Sequence, residues 1–280
     1  MPPTAGTTDG TRGWQRSRKA ALCRKSYKPG PAPDPTAERA MIDSNAQQPS
    51  MASLAVVIPT RRLDARLALR VAEIQAQLCP AEVVVVEPDS AGVAAQVLPP
   101  NCRHLRAPRG RGTQCNAGAR ATTARLLLFL HDDTALPRGA ARVIEDAFAD
   151  PRVGMACFRL RFDRGHPLLS LYAWWSRFDS IWTTFGDQGY LIRRSTFDAV
   201  GGFPDWPLFE DVELARRVRR QRDRRRRIRK LPATVTTSAT RFERAGVLRQ
   251  QVRNAVAMLR FFAGASPWQL AAEYERQRLR

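Results

Sequence analysis

Cysteine is scarce in this sequence of 280 residues: there are five, scattered along the chain without a Cys-x-x-Cys pair. This spacing argues against a disulfide framework and against a zinc site built from paired cysteines. Apolar runs are short as well, and none approaches the roughly 20 residues that a membrane-spanning helix needs. The N-terminus lacks the compact apolar stretch typical of a secretory signal. We therefore expect a protein of a reduced, cytoplasmic setting.

Acidic residues are few relative to basic ones: 26 Asp and Glu stand against 46 Lys and Arg, for a formal net charge of +20. Nucleic acid, an anionic membrane surface and a phosphate-bearing substrate each fit this charge. Residues 216–230 are the most basic stretch, but they carry no interleaved aromatic residues and no recognised nucleic-acid module. We therefore expect no nucleic-acid partner. Peripheral contact with the inner face of an anionic membrane is one explanation of the amphipathic segment that follows at 247–262. Packing of that segment on the domain explains its pattern equally well.

Three regions differ in composition. Residues 1–50 are rich in Pro, Thr, Gly, Arg and Lys without apolar periodicity, so we expect either a disordered extension or a segment upstream of a natural start at Met51. Residues 51–240 alternate strand-like and helix-like patterns, which predicts one α/β domain with a mostly parallel central sheet. Residues 241–280 predict a C-terminal helical extension.

The periodicity also predicts individual elements. The expected strands cover residues 54–60, 82–87, 104–107, 126–130, 155–162 and 190–192, with a further strand near Leu231. The expected helices cover residues 63–78, 114–123, 137–149, 168–182, 208–219 and 247–262.

Acidic side chains follow two of the predicted strands. Glu87 ends the second strand, and Asp132 and Asp133 follow the apolar run at 126–130. Open α/β sheets bind ligands at the carboxyl ends of their strands. Adjacent carboxylates there need solvent or a cation, and Mg²⁺ commonly takes one or two carboxylates together with phosphate oxygens. A metal–diphosphate site and a solvated turn are both consistent with this spacing.

A loop rich in glycine and arginine precedes the apolar run, with the sequence Arg-Ala-Pro-Arg-Gly-Arg-Gly-Thr-Gln-Cys-Asn-Ala-Gly at 106–118. Its glycines allow close backbone approach to a ligand, and Arg109 and Arg111 offer planar donors for phosphate oxygens. A helix that begins near Thr113 would add its N-terminal N–H groups. An ordinary basic turn explains the loop equally simply when it is taken alone.

Two adjacent acids, Glu210 and Asp211, open the helix predicted at 208–219. The helix dipole favours negative charge at that end, so capping is one explanation. The other is a general base, since a positioned carboxylate can take the proton from a hydroxyl group that attacks a substrate.

Taken in order, these segments resemble family-2 glycosyltransferases over residues 54–249. Val-Val-Ile-Pro-Thr at 56–60 resembles the family's opening segment, and 109–118 resembles its Gly-rich, Asn-x-Gly segment. His-Asp-Asp at 131–133 falls at the metal-binding acidic motif, and Glu-Asp at 210–211 falls at the glutamate–aspartate pair. The resemblance implies a GT-A fold and inverting transfer of a sugar, typically a hexose from a UDP-sugar, to a small-molecule or lipid acceptor. It also implies a divalent metal, Mg²⁺ or Mn²⁺.

The resemblance implies a role for each matched residue. Asp211, with Glu210 beside it, corresponds to the catalytic base, and Asp133 corresponds to the metal ligand. The residues implied to bind the nucleotide-sugar are Pro59, Thr60, Glu87, Arg109, Arg111, Gly112, Asn116 and Asp132, and those implied on the acceptor side are Asp187, Gln188 and Trp206.

The closest likeness is to a small bacterial branch described as radical-SAM/selenodomain-associated or arsenosugar-biosynthesis glycosyltransferases, on segments 106–112, 185–189, 201–204 and 236–238. One departure is His131, which occupies the first acidic position of the usual Asp-x-Asp motif. It motivates an alternative, a non-catalytic nucleotide-sugar-binding protein of the same fold. The aromatic residues of 172–182 are either an acceptor wall or core packing.

Overall fold

The computed structural model describes residues 51–90, 98–221, 227–240, 242 and 246–278. All of them belong to a compact unit that spans Ala46–Arg280. The segment predicted to be disordered, 1–50, lies outside the described residues.

An α/β architecture is present, with a seven-stranded sheet in the described part of the chain. The strands are β1 (Leu54–Pro59), β2 (Glu82–Pro88), β3 (Cys102–Ala107), β4 (Leu126–Phe129), β5 (Val153–Phe162), β6 (Tyr190–Arg193) and β7 (Arg227–Thr237). The helices are α1 (Ala65–Leu78), α2 (Arg111–Arg120), α3 (Ala140–Phe148), α4 (Pro167–Trp175), α5 (Arg194–Ala199), α6 (Glu210–Arg220), α7 (Val247–Phe262) and α8 (Pro267–Arg278).

The sheet order is β3-β2-β1-β4-β6-β5-β7. Every neighbouring pair is parallel except the two that involve β6, which runs antiparallel to both β4 and β5. The prediction of a mostly parallel sheet is confirmed. Because the other strands run in one direction, the carboxyl ends of β1, β2 and β4 meet at one edge of the sheet.

The central strands are buried on both faces, as parallel strands covered by helices must be. All six residues of β1 and all four of β4 are buried. One core cluster lies on each face of the sheet. Because both faces are buried, the sequences of these strands are short, continuous apolar runs and do not alternate between apolar and polar residues.

Helix α2 packs unusually close to the sheet through Gly118. A Cβ atom at this position would lie 2.3 Å from Val57 Cγ1 and 3.1 Å from Val86 Cγ2. Only a glycine therefore allows the helix to sit at this depth. The close packing fixes the start of α2, and with it the arginine-rich turn, over the carboxyl ends of β1 and β2.

Three predicted helices differ from the observed ones by three residues or more at one end or both. Helix α2 begins at Arg111, directly after Gly110, rather than at Gln114. Helix α3 begins at Ala140 and not at Pro137, because Gly139 adopts a left-handed conformation just before it. Helix α4 ends at Trp175 rather than Trp182: Ser176 is buried there, accepts from Leu160 N–H and donates to the Ala173 carbonyl.

The C-terminal helices α7 and α8 pack on the domain through a third apolar cluster. Val212 of α6, Met258 and Phe261 of α7 and Leu270 of α8 form its buried part. Helix α7 has the bounds predicted from the sequence, and helix α8 lies within the region predicted at 241–280 to be helical. The short helix α5 was not predicted. Among the described residues, no helix combines the length and the apolar character that crossing a bilayer requires.

Candidate active site

A cleft opens where the carboxyl ends of β1 and β4 meet the starts of α2 and α6. It is lined by Pro59, Arg111, Cys115, Phe129, Leu130, His131, Gly186, Tyr190, Phe203 and Asp211. The cleft therefore combines one arginine, one carboxylate and one histidine with an apolar floor. Three of these residues, Pro59, Arg111 and Asp211, were predicted from the sequence as site residues, and His131 stands at the first position of the acidic motif.

Asp211 occupies the first turn of α6, and both oxygens of its carboxylate accept a backbone hydrogen bond. Gly186 N–H donates to Oδ2 at 2.7 Å, and Val212 N–H donates to Oδ1 at 2.8 Å. Gly186 can come this close because it lacks a side chain: a Cβ there would lie 3.1 Å from Asp211 Oδ2. The carboxylate is thus held in one orientation at the wall of the cleft by two chain segments.

Glu210, the neighbouring acid, has a different environment. It is 3% exposed, and its Oε1 lies 3.3 Å from Arg111 Nη1. Burial raises the pKa of Glu210 above its usual range, although the Arg111 charge opposes the shift, and the nearby Asp211 adds to it. The Arg111 side chain itself is 42% exposed. Glu210 therefore orients a guanidinium group that still reaches the cleft.

The start of α2 is fastened to the loop that leads into α6. A Cβ at Gly112 would lie 2.7 Å from the Pro204 carbonyl oxygen, so the glycine is required by close packing. Thr113 Oγ1 donates to Asp205 Oδ1 at 2.6 Å. The Asn116 amide pairs with one backbone unit: Nδ2 donates to the Phe203 carbonyl at 2.9 Å, and Oδ1 accepts from Phe203 N–H at 3.0 Å. Asn116 thereby holds together the two segments that supply Arg111 and Asp211.

Gln114 is a positioning residue that sequence reasoning missed. Its buried Nε2 donates to the carbonyl oxygens of Thr60 at 2.8 Å and of Val86 at 2.7 Å. Thr60 directly follows β1, and Val86 lies two residues before the end of β2, so Gln114 ties the first turn of α2 to the carboxyl-terminal parts of both strands. The only signal in the sequence was its place inside the Gly-rich segment.

Glu87 is 2% exposed at the end of β2. Its Oε1 accepts from Leu63 N–H at 3.2 Å, and its Oε2 lies 3.4 Å from His104 Nε2. In this structure the carboxylate holds the loop between β1 and α1. Its contact with a nucleotide base stays a prediction.

The two aspartates after β4 differ in their contacts. Asp132 Oδ2 accepts from Thr60 Oγ1 at 2.8 Å. Although Asp132 is exposed as a residue, desolvation raises the pKa of its carboxyl group, and the Thr60 hydrogen bond opposes that shift. Asp133 is exposed, and its Oδ1 lies 3.4 Å from the hydroxyl oxygens of Thr134 and Thr237.

The residues near Asp133 fit one kind of metal site and not another. Within the described part of the chain, no three His, Cys, Asp or Glu side chains lie together in a group that could hold a metal ion. An all-protein cage is therefore not supported here. An exposed carboxylate at a strand end does fit Mg²⁺ or Mn²⁺ that takes most of its ligands from water and a diphosphate. His131 is half-buried and lines the cleft.

The three residues predicted on the acceptor side lie in different surroundings. Asp187 is half-buried in the short 3-10 turn Gly186–Gln188. Gln188 is fully buried, with its amide donating to the Thr183 carbonyl at 2.7 Å and accepting from Lys230 Nζ at 2.6 Å. Trp206 packs edge-on against Phe261 of α7, with ring centroids 6.0 Å apart. The buried Gln188 side chain thus anchors the 3-10 turn to Thr183 and to Lys230 of β7, and it does not face solvent.

Arg109 is exposed on the turn before α2. Pro59 lies at the cleft, and Thr60 is buried just beyond the end of β1. Six of the residues predicted to bind the donor, Pro59, Thr60, Glu87, Arg111, Gly112 and Asp132, therefore lie around the ends of β1, β2 and β4, and the roles assigned to them stay predictions.

Comparison with known proteins gave three results. A search of curated proteins found no match. Two crystal structures of S. aureus TarS are similar at 14% sequence identity and a TM-score of 0.48, and each match covers 80% of this chain. The match covers 71% of the TarS 1-349 chain and 43% of the chain in the other structure.

The profile of glycosyl transferase family 2 matches residues 55–203, just over half of the chain. This segment contains β1, the start of α2, the acidic residues after β4 and Gly186. It ends before Glu210 and Asp211, whose roles therefore rest on the geometry of the cleft. By the length of this match, the chain belongs to glycosyl transferase family 2.

Proposed function

We propose that the protein is an inverting glycosyltransferase that moves a sugar from a nucleotide diphosphate donor to an acceptor hydroxyl. The observation that carries the proposal is the Asp211 carboxylate, which two backbone N–H groups orient at the wall of a cleft that Arg111 also lines. A fixed carboxylate supplies a base, and an arginine beside it supplies a contact for phosphate oxygens. We further propose a UDP-hexose as the donor.

The proposed reaction is a single displacement. The acceptor oxygen forms a bond to the anomeric carbon on the face opposite the diphosphate, and the bond from that carbon to the diphosphate oxygen breaks. The acceptor proton passes to the Asp211 carboxylate, and the nucleoside diphosphate leaves with the bonding electrons. Attack from the opposite face inverts the anomeric centre.

Arg111 has a second part in this proposal. Negative charge grows on the departing diphosphate, and a donor already oriented toward that charge stabilises it without reorganisation. Buried Glu210 provides the orientation, because it pairs with Arg111 and leaves the arginine partly exposed. A divalent metal bound through Asp133 would offset the same negative charge.

The acceptor is proposed only by class, as a small molecule or a lipid, and the setting as cytoplasmic. Tyr190 and Phe129 give the cleft an apolar floor, which suits the non-polar face of a sugar or an acceptor.

A two-stage experiment tests the proposal. Thermal denaturation with a panel of nucleotide sugars, with and without Mn²⁺, identifies the donor, because a bound ligand raises the melting temperature by mass action. Release of nucleotide from that donor is then compared for the wild type and for Asp211→Asn. Release that depends on Asp211 supports the enzyme.

The alternative is a nucleotide-sugar-binding protein without catalysis. His131 motivates it, because this residue lines the cleft and occupies the first acidic position of the usual metal motif. Donor binding without nucleotide release, across the whole panel and with either metal, would establish the alternative and overturn the proposal.

A further inference from the structure

Helix α4 presents an apolar face to solvent. Leu171, Trp174, Trp175 and Phe178 are 53%, 43%, 51% and 45% exposed. They follow one another at intervals of three, one and three residues, so they project from one side of the helix and its continuation. The rings of Trp174, Trp175 and Phe178 contact each other edge-on, with centroids 5.0 to 5.9 Å apart.

These aromatic residues are not part of the core. The opposite side of α4 faces the core instead: Leu169 is 2% exposed, and Tyr172 packs against Phe162 and Phe185. Contiguous exposed apolar patches of this kind mark interaction surfaces in soluble proteins.

Helix α7, which contacts α4, carries a second exposed apolar stripe. Leu248, Val252, Val256 and Leu259 are 65%, 54%, 48% and 58% exposed. Gln250, Met258 and Phe261 are the buried residues of this helix. The two sets are offset by two positions, or about 200° around a helix, so the exposed stripe lies opposite the packed side. Packing on the domain, the alternative explanation of this amphipathic segment, accounts for the buried side only.

The two helices are joined at one end by an aromatic contact. Trp182, 48% exposed, lies after α4 and packs edge-on against Phe262, the last residue of α7, with centroids 4.7 Å apart. We refer to the exposed residues of α4 and α7, together with Phe178 and Trp182, as the apolar face.

The charges beside the apolar face are positive. The Arg177 guanidinium lies over the Trp174 ring, 5.3 Å from its centroid. Arg249 and Arg253 follow the exposed stripe of α7, one position after Leu248 and Val252. The acids nearby, Asp179 and Glu273, are each paired with an arginine, Arg219 and Arg260 respectively.

We propose that the apolar face docks the protein on the surface of a membrane that contains anionic phospholipids. Tryptophan prefers the level of the lipid headgroups, where its ring is apolar and its N–H stays wet. An amphipathic helix in this position lies in the plane of the interface, with its apolar side about 5–10 Å into the boundary and its arginines near the phosphates. The net charge of +20 adds a general attraction to such a surface.

This docking is independent of sugar transfer. The partner proposed is a lipid surface rather than a protein, because the face combines three tryptophans with flanking arginines. A second copy of this chain would instead bring the arginines of two identical faces together, which costs free energy through like-charge repulsion.

The test is flotation of the full-length protein with phosphatidylcholine vesicles, with and without phosphatidylglycerol. Wild-type protein should float with the anionic vesicles, and less so as salt is raised. The double variant Trp175→Ser/Phe178→Ser should lower the apparent partition coefficient about tenfold or more. Leu69→Ser on α1 is the matched control, since this leucine is 68% exposed but lies elsewhere, and it should bind like the wild type.

Two further variants separate the apolar and electrostatic contributions. Arg177→Gln/Arg253→Gln should weaken binding to anionic vesicles by about fivefold per arginine and leave binding to neutral vesicles unchanged. Leu248→Ser/Val252→Ser tests the contribution of α7 to vesicle binding on its own. It replaces the aromatic variant in the test if that variant fails to fold. Melting temperatures of all variants check the fold.

Three results would overturn the proposal. One is a wild-type protein that does not float with anionic vesicles. Another is equal binding by the aromatic variant and by Leu69→Ser. The third is a dimer in lipid-free sedimentation that the aromatic variant dissociates, because a second copy would then cover the apolar face.

Discussion

Replacing Asp211 with asparagine tests the assignment of the base most directly. The asparagine side chain has the same shape but cannot accept the acceptor's proton. General-base catalysis contributes about 100-fold to 10,000-fold, so sugar transfer should fall by about 100-fold or more, equivalent to about 2.7 kcal/mol of transition-state stabilisation. Donor affinity should be nearly unchanged, because the loss lies in the transition state.

The structure also predicts a cost in stability, which must be separated from the catalytic effect. Both carboxylate oxygens accept a backbone N–H, from Gly186 and from Val212. An asparagine can accept only one of these bonds and turns an N–H₂ group toward the other donor, at a cost of about 1–3 kcal/mol. A wild-type protein with a typical free energy of unfolding of about 5–15 kcal/mol would keep at least about 2 kcal/mol after this loss, so at least about 95% of the variant stays folded. Unfolding therefore cannot account for a 100-fold loss.

The assay is transfer to an acceptor, or hydrolysis of the donor by water until an acceptor is known. Asp150→Asn is the matched control: Asp150 Oδ1 also accepts a backbone N–H, from Arg152 at 2.9 Å, but it precedes β5 at the opposite edge of the sheet. Glu210→Gln should be milder than Asp211→Asn, since Glu210 is buried against Arg111. An Asp211→Asn enzyme with near wild-type transfer would refute the assignment, and Glu210 would become the candidate base.

Three further predictions concern the donor site, the N-terminal segment and the packing of α2. Glu87→Ala, Arg111→Ala and Asp133→Ala should each weaken nucleotide-sugar binding in calorimetry, and Asp133→Ala should also remove most of the dependence on Mn²⁺; unchanged affinity in all three would contradict this location for the donor. A chain that begins at Met51 keeps the core methionine at that position, and its melting temperature should stay within about 2 °C of the full-length protein. Gly118→Ala should destabilise the domain by about 1–3 kcal/mol in thermal denaturation, because its added Cβ would overlap Val57. Gly165→Ala is the control and should show no comparable loss, because a Cβ added there would have no neighbouring atom within 4 Å.

The sequence predicted those parts of the fold that local patterns determine. Apolar runs identified β1, β2 and β4, because buried parallel strands require continuous apolar residues. Glycines, prolines and acids after those runs identified the edge of the sheet where the cleft lies. The reversed direction of β6 was not predictable in this way, since a four-residue strand has the same composition whichever way it runs.

The parts that depend on distant contacts were not predictable. The Asn116 amide pairs with the backbone of Phe203, 87 residues away, and its expected contact with the donor stays a prediction. Gln114 joins two strand ends that lie 54 and 28 residues before it. The helix that was predicted to extend to Trp182 ends at Trp175, because the buried Ser176 hydroxyl group hydrogen-bonds to Leu160 of β5 and to Ala173 of α4. A single sequence shows the residue types in these contacts and not their partners.

The two adjacent acids of α6 lie in different surroundings, and the proposed reaction gives them different roles. Successive residues of a helix point about 100° apart, so Glu210 and Asp211 cannot face the same surroundings. Glu210 points inward, where burial would be costly for a lone carboxylate, and the Arg111 guanidinium compensates it. Asp211 lines the cleft, where Gly186 and Val212 orient its carboxylate, and each oxygen keeps a second lone pair for a further hydrogen bond. Exchanging the two residues as Glu210→Asp/Asp211→Glu keeps the total charge, but it shortens the side chain that reaches Arg111 and moves the carboxylate that Gly186 holds. We therefore expect both donor binding in calorimetry and the rate of sugar transfer to fall.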